Sequence, residues 1–218
     1  MDEKLLRDEI CRVGKSLFDR GYVHSTAGNI SVRLDDGYLI TPTEACLGFL
    51  DPARLSKVDR DGAPMSGDGP SKTIALHRRI YAADKEARCV IHTHSTHLVA
   101  LTLSGHRDPN EFIPPITPYF VMKVGHVPLI PYHRPGDPRV GDLVSATIAR
   151  FAARGAAIRA VMLERLGPNV WHESPTLAMA VLEELAETAK LWASSRGEAV
   201  PLREDEIEDL RRTFGARL

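Results

Sequence analysis

The sequence predicts a single α/β domain whose central sheet is not all parallel. Helical and strand-like segments alternate along the 218 residues, and no repeat, low-complexity tract or long linker divides them. Asp36-Gly37 lies between two strand-like runs, and this dipeptide favours a β-hairpin, which joins antiparallel strands. The hydrophobic share of 43% and the charged share of 26% are those of an ordinary globular protein. We therefore predict that residues 1–218 form one domain.

The predicted helices follow from apolar residues that recur every three or four positions and from residues that start or end a helix. Gly21 ends the first helix, and Ser174 caps the last long one, with Pro175 at its first position. The predicted helices cover residues 3–20, Ser71 through Ile80, Ser95 or Thr96 through Leu103, 141–153, and a long segment from Pro175 through Leu191.

The predicted strands are short apolar runs bounded by turn residues. The stretches between them are rich in glycine, proline and aspartate and are predicted to be loops, notably the segment that ends at Gly67–Pro70 and the proline-rich segment 109–118. The charged segment Arg203–Arg212 is predicted to be peripheral. The predicted strands are 30–34, 38–40, 89–93, 127–130, 160–163 and 170–171.

Charge and composition exclude several classes of protein. The formal net charge is -1 and there is no basic stripe, so we expect no nucleic-acid partner. No apolar run approaches the length of a membrane span, and the first residues lack the pattern of a signal peptide. Three cysteines without CxxC spacing argue against a disulfide framework and a zinc ribbon. We therefore expect a cytoplasmic protein with a small-molecule substrate and no membrane partner.

The strongest local signal is a pair of histidines at the end of a predicted strand. His92 and His94 are two residues apart, and alternate residues of a strand point to the same face. Their imidazoles could therefore share one metal ion, and imidazole suits zinc, iron, copper and nickel. The alternative is two surface histidines. The ligand interpretation is favoured because the pair follows a buried strand and precedes a helix start, where sites tend to form.

Two further segments have the composition of an anion site. Ser25–Ser31 combines small hydroxyl and amide side chains with a glycine, which can surround an anion, although ordinary turns use the same residues. Pro70–Thr73 lies at a predicted helix start, which favours anions, and Lys72 adds a positive charge. A plain helix cap with a solvated lysine is an equal alternative for this segment.

These segments, taken in order, resemble the class II aldolase/adducin family, and the resemblance covers nearly the whole chain. Within that family, Cys46–Gly48, Leu50–Pro52, Arg54–Val58 and Pro70–Lys72 are most similar to the 3-oxo-tetronate 4-phosphate decarboxylases. The motifs that carry the family resemblance are Thr26–Asn29, Ile40–Thr43, Pro70-Ser71, His92–His94, Thr117–Tyr119, Val127–Tyr132, Arg134–Asp137 and Glu183–Lys190.

The resemblance implies a three-layer fold with a central, mainly antiparallel sheet flanked by helices. It also implies a homotetramer with active sites between neighbouring subunits. His92 and His94 correspond to two of three histidines that hold a divalent metal, zinc in the first place, with manganese and iron as alternatives. The ion would act as a Lewis acid and stabilise the enediolate left by C–C cleavage or by loss of carbon dioxide.

The resemblance also assigns the substrate site. Thr26, Asn29, Thr43 and Ser71 correspond to residues that bind the substrate phosphate. Tyr119 matches a tyrosine that reaches the site of the neighbouring subunit and donates a proton.

Three positions depart from the family pattern. The acidic residue expected two places after Ser71 is Thr73, which cannot act as a carboxylate base. The third histidine is replaced by Leu166, which cannot ligate a metal. The phosphate loop has Glu44 where the family has glycine, and a carboxylate there would repel a phosphate.

Other side chains could compensate for these departures. The chain has four extra histidines, His24, His97, His126 and His133. His133 could complete the metal site with His92 and His94, although for any single one of the four a solvent-facing or hydrogen-bonded side chain is the more common role. Glu44 could replace the missing carboxylate as base or ligand, and Lys72 or Arg134 could bind a substrate carboxylate. We assign Tyr119, Glu44 and Lys72 to catalysis and Arg134 to substrate binding.

The predicted function is that of a metal-dependent lyase. It would cleave a C–C bond of a small oxo-acid or sugar-acid, by decarboxylation or aldol cleavage, most like a 3-oxo-tetronate 4-phosphate decarboxylase. One alternative is a diverged enzyme with an altered metal site and a non-phosphorylated substrate, such as an aromatic-acid decarboxylase or an oxygenase. The other is a non-catalytic scaffold.

Overall fold

A computed structural model describes residues 2–103 and 108–218, and its centre is one eight-stranded sheet. The strands are β1 (Asn29–Arg33), β2 (Gly37–Ile40), β3 (Ser56–Asp59), β4 (Pro64–Ser66), β5 (Cys89–His92), β6 (Leu129–Ile130), β7 (Ala160–Leu163) and β8 (Gly167–His172). Their order is β4-β3-β2-β1-β5-β8-β7-β6. All neighbours pair antiparallel except β6 and β7, which are parallel.

Helices cover both faces of this sheet. The helices are α1 (Glu3–Asp19), α2 (Ile74–Ala83), α3 (Thr96–Leu103), α4 (Pro118–Lys123), α5 (Arg139–Ala152), α6 (Pro175–Ser194) and α7 (Glu204–Phe214). One core joins the sheet to α2 and α5, and a larger core joins its other face to the remaining five helices. The predicted α/β fold, with a mainly antiparallel sheet flanked by helices, is confirmed. None of the helices described is long and apolar enough to cross a membrane.

The alternation of β5 decides which layer the histidines face. Cys89 and Ile91 belong to the larger core, whereas Val90 belongs to the core under α2 and α5. Because side chains alternate along a strand, His92 projects to the same face as Val90. The end of β5 therefore presents His92 beside the start of α2.

The predicted loop between Ile40 and Pro70 contains two strands that the sequence analysis missed. β3 alternates buried and half-buried residues, and β4 is a fully exposed edge of three residues that starts at a proline. Asp61-Gly62 lies in the turn between β3 and β4, where Gly62 has a φ of +89°. Strands this short owe their existence to their neighbours in the sheet, which a local pattern does not show.

Three further elements correct the sequence-based assignment. α4 interrupts the proline-rich loop, with Thr117 accepting a hydrogen bond from the Phe120 amide at 3.1 Å. β8 begins at Gly167, three residues before the predicted strand 170–171, and so includes Gly167-Pro168, a pair of residues typical of turns. The charged segment is helix α7, which is not peripheral, since Ile207 is buried and Leu210 packs on the larger core.

Candidate active site

A row of three polar residues crosses the middle of the sheet. Asn29 of β1 and Asn169 of β8 are the direct neighbours of His92 across the two strand pairs. Directly opposed residues in antiparallel strands share a face, so all three side chains project towards the same space. All three are buried, and the side-chain oxygens of both asparagines have no hydrogen-bond partner in the described part of the chain.

The ring of His92 is held in one orientation. Its Nδ1 lies 2.8 Å from the carbonyl oxygen of Pro168. A carbonyl oxygen only accepts, so Nδ1 carries the proton and Nε2 keeps its lone pair free. This is the arrangement in which metal-binding histidines are commonly fixed by a neighbouring acceptor.

The structure brings His94 to His92 although β5 ends before His94. The two ring centroids are 5.0 Å apart, with the ring planes inclined by 68°. A third imidazole, that of His24, lies with its centroid 6.5 Å from that of His94. The spacing of His92 and His94 predicts that those two lie together, whereas His24 is one of the four extra histidines of the sequence.

Burial keeps both imidazoles of the pair neutral. Desolvation, with a smaller contribution from His94, lowers the pKa of His92 to about 4, although the Pro168 carbonyl opposes the shift. Desolvation also lowers the pKa of His94, and His24 adds to that shift. Neutral imidazoles are the form that binds a metal ion or accepts a proton.

The histidine pair opens into a pocket of about 1010 Å³. The same pocket is lined by the predicted substrate-binding residues, by all three departures from the family pattern and by several basic side chains. The lining residues that bear on function are Thr26, Asn29, Thr43, Glu44, Arg60, Ser71, Lys72, Thr73, Arg78, Arg79, His92, His94, Arg134, Asp137, Leu166 and Asn169.

Hydrogen bonds shape the hydroxyl-rich wall of this pocket. Thr43 donates to the carbonyl oxygen of Pro70 at 2.8 Å, which ties the loop after β2 to the segment before α2. The hydroxyls of Ser71 and Thr73 are 2.8 Å apart at the start of α2. The predicted substrate-binding hydroxyls therefore lie on one wall, next to a helix N-terminus.

Lys72 and Arg134 leave positive charge free in the pocket. Neither forms an ion pair with a described residue, whereas Arg78 pairs with Asp61 and Arg79 pairs with Asp142.

Arg134 lies on a loop fixed by Asp137, whose carboxylate accepts hydrogen bonds from the backbone and the side chain of Arg139. Those bonds hold the pKa of Asp137 well below its usual range. The pocket therefore favours an anionic ligand.

Glu44 occupies a backbone conformation suited to glycine. Its φ is +59°, in the left-handed region that L-residues rarely adopt. Its carboxylate accepts a hydrogen bond from Thr26 at 3.2 Å, so it faces the wall predicted to bind phosphate. It has no ion-pair partner among residues 2–103 and 108–218.

The residues of the pocket fit two metal ligands, but not the three-histidine set that the resemblance implies. His92 and His94 have the required ligand chemistry and proximity, while Leu166 and Thr73 contribute no imidazole or carboxylate. Leu166 precedes Gly167, where a Cβ would lie 2.0 Å from the carbonyl oxygen of Thr93. The turn that carries Leu166 therefore packs tightly against the end of β5. Leu166 occupies the position at which the family resemblance implies the third histidine.

His133 does not complete the site. Its Nδ1 lies 3.7 Å from the Asp137 carboxylate, and it does not line the pocket. Within the described ranges, no three His, Cys, Asp or Glu side chains form a group that could hold a metal. The predicted role of His133 as a ligand beside His92 and His94 gains no support from this structure, because the loop that carries His133 turns its ring towards Asp137.

One predicted site residue, Tyr119, lies away from this chain's pocket, and one residue without a predicted role, Asn169, lines it. Tyr119 is 59% exposed and does not line this chain's pocket, and Lys123 lies over its ring. Asn169 lines the pocket, yet nothing in its local sequence distinguished it. Only the pairing of β5 with β8 places it beside His92.

Comparisons with known proteins find similar sequences and a similar solved structure over most of the chain. A 3-oxo-tetronate 4-phosphate decarboxylase of Cupriavidus necator is 56% identical over 220 residues, covering 99% of this chain and 98% of that protein. The Escherichia coli K12 protein of the same name is 46% identical over 190 residues, covering 87% of this chain and 86% of the other. The crystal structure of Escherichia coli YgbL has a TM-score of 0.87 and 43% identity, covering 96% of this chain and 99% of that one.

The relatives include both decarboxylases and aldolases, so the predicted assignment to the class II aldolase type of lyase is confirmed. Class II aldolases generally depend on a divalent metal. The profile of the family described as "Class II Aldolase and Adducin N-terminal domain" matches residues 8–193. The chain belongs to that family, as its motifs predicted.

Proposed function

We propose that this protein decarboxylates 3-oxo-tetronate 4-phosphate or a closely similar phosphorylated 3-oxo acid. The relatives that cover almost the whole chain carry that activity in their names. The observation that carries the proposal is a single pocket that contains both the neutral histidine pair and the unpaired cations Lys72 and Arg134. Such a pocket suits a small ligand with two anionic groups and a reactive ketone between them.

The anionic groups of this substrate find complementary partners in the pocket. The phosphate binds along the wall of Thr26, Thr43 and Ser71, beside the N-terminus of α2, with Lys72 as its counter-charge. Arg134 binds the carboxylate from the opposite loop. Asn29 offers a further polar contact at the start of β1.

A divalent metal, zinc by preference with manganese or iron as alternatives, is proposed at His92 and His94. When bound, it would supply Lewis-acid stabilisation of negative charge on the substrate oxygens. The third ligand implied by the resemblance is missing at Leu166, so this pair alone defines the metal's position.

The reaction itself is the loss of carbon dioxide from a 3-oxo acid. The C1–C2 bond breaks, and its electron pair forms the C2–C3 double bond while the ketone oxygen becomes an enediolate oxygen. A proton then adds to C2, which gives dihydroxyacetone phosphate. We propose that Tyr119 of a neighbouring subunit donates this proton, and that Glu44 carries protons between the pocket and solvent.

Tyr119 can serve this role only in an oligomer. It is exposed and lies outside this chain's own pocket. We therefore propose a homotetramer with each site completed by a neighbouring subunit, as the family resemblance implies.

Turnover of the named substrate tests the proposal. Purified protein supplied with zinc should release equal amounts of carbon dioxide and dihydroxyacetone phosphate from 3-oxo-tetronate 4-phosphate. His92→Ala should lower kcat by at least about a hundredfold, the scale of a lost electrostatic or acid–base contribution. His97→Ala, an exposed histidine on α3, should leave the rate unchanged. A wild-type protein without turnover, or a fully active His92→Ala variant, would contradict the proposal.

A further inference from the structure

We infer that Asn169 is a positioning residue for the proposed reaction: its side-chain amide holds the His92 ring with the lone pair of Nε2 free for the pocket. The inference deepens the proposed function and rests on it for the part that Asn169 plays in turnover. The contact between Asn169 and His92 stands without the proposed function, and it needs no bound metal.

Asn169 lies at a position where an apolar residue is expected. β8 has a neighbouring strand on each side, and the next two residues, Val170 and Trp171, are buried in the two hydrophobic cores. Asparagine is depleted in strands, and burial of its amide costs free energy unless the amide is hydrogen-bonded. Asn169 nevertheless has no exposed surface. A buried amide in an interior strand therefore requires a partner or a function that accounts for it.

The partner that the structure offers is the ring of His92. Asn169 stands directly opposite His92 in the pairing of β5 with β8, so the two side chains share a face of the sheet. The amide nitrogen of Asn169, Nδ2, lies 3.4 Å from Nδ1 of His92. Among the described residues, no other side chain lies within hydrogen-bond distance of this ring. Asn169 is therefore the side chain that can restrain the ring by a hydrogen bond.

The proton on Nδ1 of His92 decides how the amide of Asn169 is oriented. Nδ1 donates to the carbonyl oxygen of Pro168, so Nδ2 beside it sets two donors against each other. Oδ1 of Asn169, meanwhile, has no partner in the described structure. Half a turn of the amide about its Cβ–Cγ bond exchanges Oδ1 and Nδ2. Oδ1 then accepts from Nδ1 as the second acceptor of a three-centre hydrogen bond.

The exchange also suits the surroundings of the amide. It leaves Nδ2 as the unpaired polar atom of Asn169, and Nδ2 is a donor. Asn169 lines the pocket, where a water molecule can accept from it. The rotated amide thus replaces a contact between two donors by a hydrogen bond to His92.

The consequence for the reaction lies at the other nitrogen of the ring. A neutral imidazole carries one proton, so a proton held at Nδ1 leaves a lone pair at Nε2. Two acceptors, the Pro168 carbonyl oxygen and Oδ1 of Asn169, favour this tautomer over the one with the proton on Nε2. Without Asn169 only the carbonyl remains, and part of the population presents a donor to the pocket in place of an acceptor.

The tautomer of His92, measured without metal and without substrate, tests this inference. In protein with ¹⁵N-labelled histidine, kept in EDTA at pH 7, NMR shows which ring nitrogen carries the proton, and the signals lost in His92→Gln identify His92. Wild type should carry the proton on Nδ1 alone. Asn169→Leu, which has a similar size but no acceptor, should add a population of about a tenth or more with the proton on Nε2. Asn169→Asp retains an acceptor and should keep the proton on Nδ1.

Asn29→Leu is the matched control, because it removes the amide on the opposite side of His92. Asn29 forms no hydrogen bond with that ring in the described structure, so the tautomer should be that of wild type. Asn169→Val, whose side chain suits a buried strand, tests the same contact if Asn169→Leu does not fold.

Steady-state kinetics test whether the contact matters for turnover. Asn169→Leu should lower kcat about 10–100-fold, the scale for loss of a group that orients a functional histidine. KM should change by less than about twofold, because the cations and hydroxyls that bind the anionic groups are unaltered.

Four results would overturn the inference. They are an unchanged tautomer in both the leucine and the valine variants of Asn169, the same shift in Asn29→Leu, a wild type with its proton divided between the two nitrogens, and a shifted tautomer with unchanged kcat. The proposed function fails separately: a wild type without turnover whose His92 tautomer depends on Asn169 would reject the decarboxylase and keep the contact. Turnover that requires His92, with a tautomer indifferent to Asn169, would do the reverse.

Discussion

At the scale of single residues, Glu44 combines a carboxylate side chain with a backbone conformation that suits glycine. A left-handed backbone conformation costs an L-residue roughly 1–2 kcal/mol, and glycine avoids this cost. Glu44 adopts it with a φ of +59° and directs its carboxylate at Thr26. A strained residue that lines a pocket is more readily explained by a role in that pocket than by folding.

Replacing Glu44 should have separate effects on substrate binding, measured as KM, and on the chemical step, measured as kcat. Glu44→Gly removes a negative charge beside the phosphate-binding wall, so KM for the phosphorylated substrate should fall severalfold. If Glu44 carries protons, kcat should fall as well, by about tenfold or more. Steady-state kinetics measure both effects.

Glu44→Gln is the matched control because it removes the charge and retains the backbone conformation. It should reproduce both kinetic changes without any gain in stability. A higher KM in either variant would show that the carboxylate favours substrate binding and would contradict the expected repulsion.

At the scale of elements, α2 is joined to the sheet by a buried polar network. The hydroxyl of Ser31 on β1 lies 2.7 Å from His77 Nδ1 and 2.7 Å from the Tyr81 hydroxyl, and Tyr81 also donates to the Ser31 carbonyl oxygen at 2.9 Å. His77 is fully buried and its Nε2 has no hydrogen-bond partner in the described structure. This network seats the helix that presents Ser71 and Lys72 to the pocket.

The buried His77 should make stability depend on pH. Burial, with a smaller effect of His92, lowers the pKa of His77 to about 3, so the folded protein keeps it neutral. In the unfolded chain it titrates near 6.5 and binds a proton that the folded state does not. The free energy of unfolding should therefore fall as pH drops from about 6.5 towards 3, by at most about 1.4 kcal/mol per pH unit from this residue.

Urea unfolding of the protein in EDTA, at pH 7, 6 and 5, measures this slope. His92 adds a loss of the same sign, since its pKa is lowered to about 4. His77→Gln should reduce the slope, and His97→Gln, at an exposed position, should not. A His77→Gln variant with the wild-type slope would show that His77 is not the titrating group.

At the scale of the whole molecule, the role proposed for Tyr119 requires a second subunit. The pocket of one chain contains the histidine pair, the cations and the hydroxyl wall, while Tyr119 lies on the exposed surface of α4. A site assembled from two chains predicts that inactive variants can complement one another.

Mixing subunits tests that arrangement. His92→Ala and Tyr119→Phe should each be nearly inactive as homo-oligomers. Co-refolded mixtures should recover activity, because a Tyr119→Phe chain supplies an intact histidine pair and a His92→Ala chain supplies an intact tyrosine. Light scattering should give the mass of four chains. A monomeric active protein, or a mixture without recovery, would contradict the shared site.

The sequence alone determined the features that depend on local chemistry. Helical periodicity, caps and the Asp36-Gly37 turn predicted most elements, and ordered motifs predicted the family. His92 and His94 were recognised because their spacing is visible along the chain. Strands β3 and β4 and helix α7 were missed because their stability comes from neighbours and from a buried face, which short local patterns do not reveal.

Only the tertiary structure decided which residues share the pocket. Asn169 stands beside His92 because β8 pairs with β5, and His24 approaches His94 because Gly28 packs on the β5 carbonyl. His133, which the sequence predicts as a third ligand, turns to Asp137 instead. Such contacts join residues far apart along the chain, and they depend on strand pairing and loop packing that no single segment encodes.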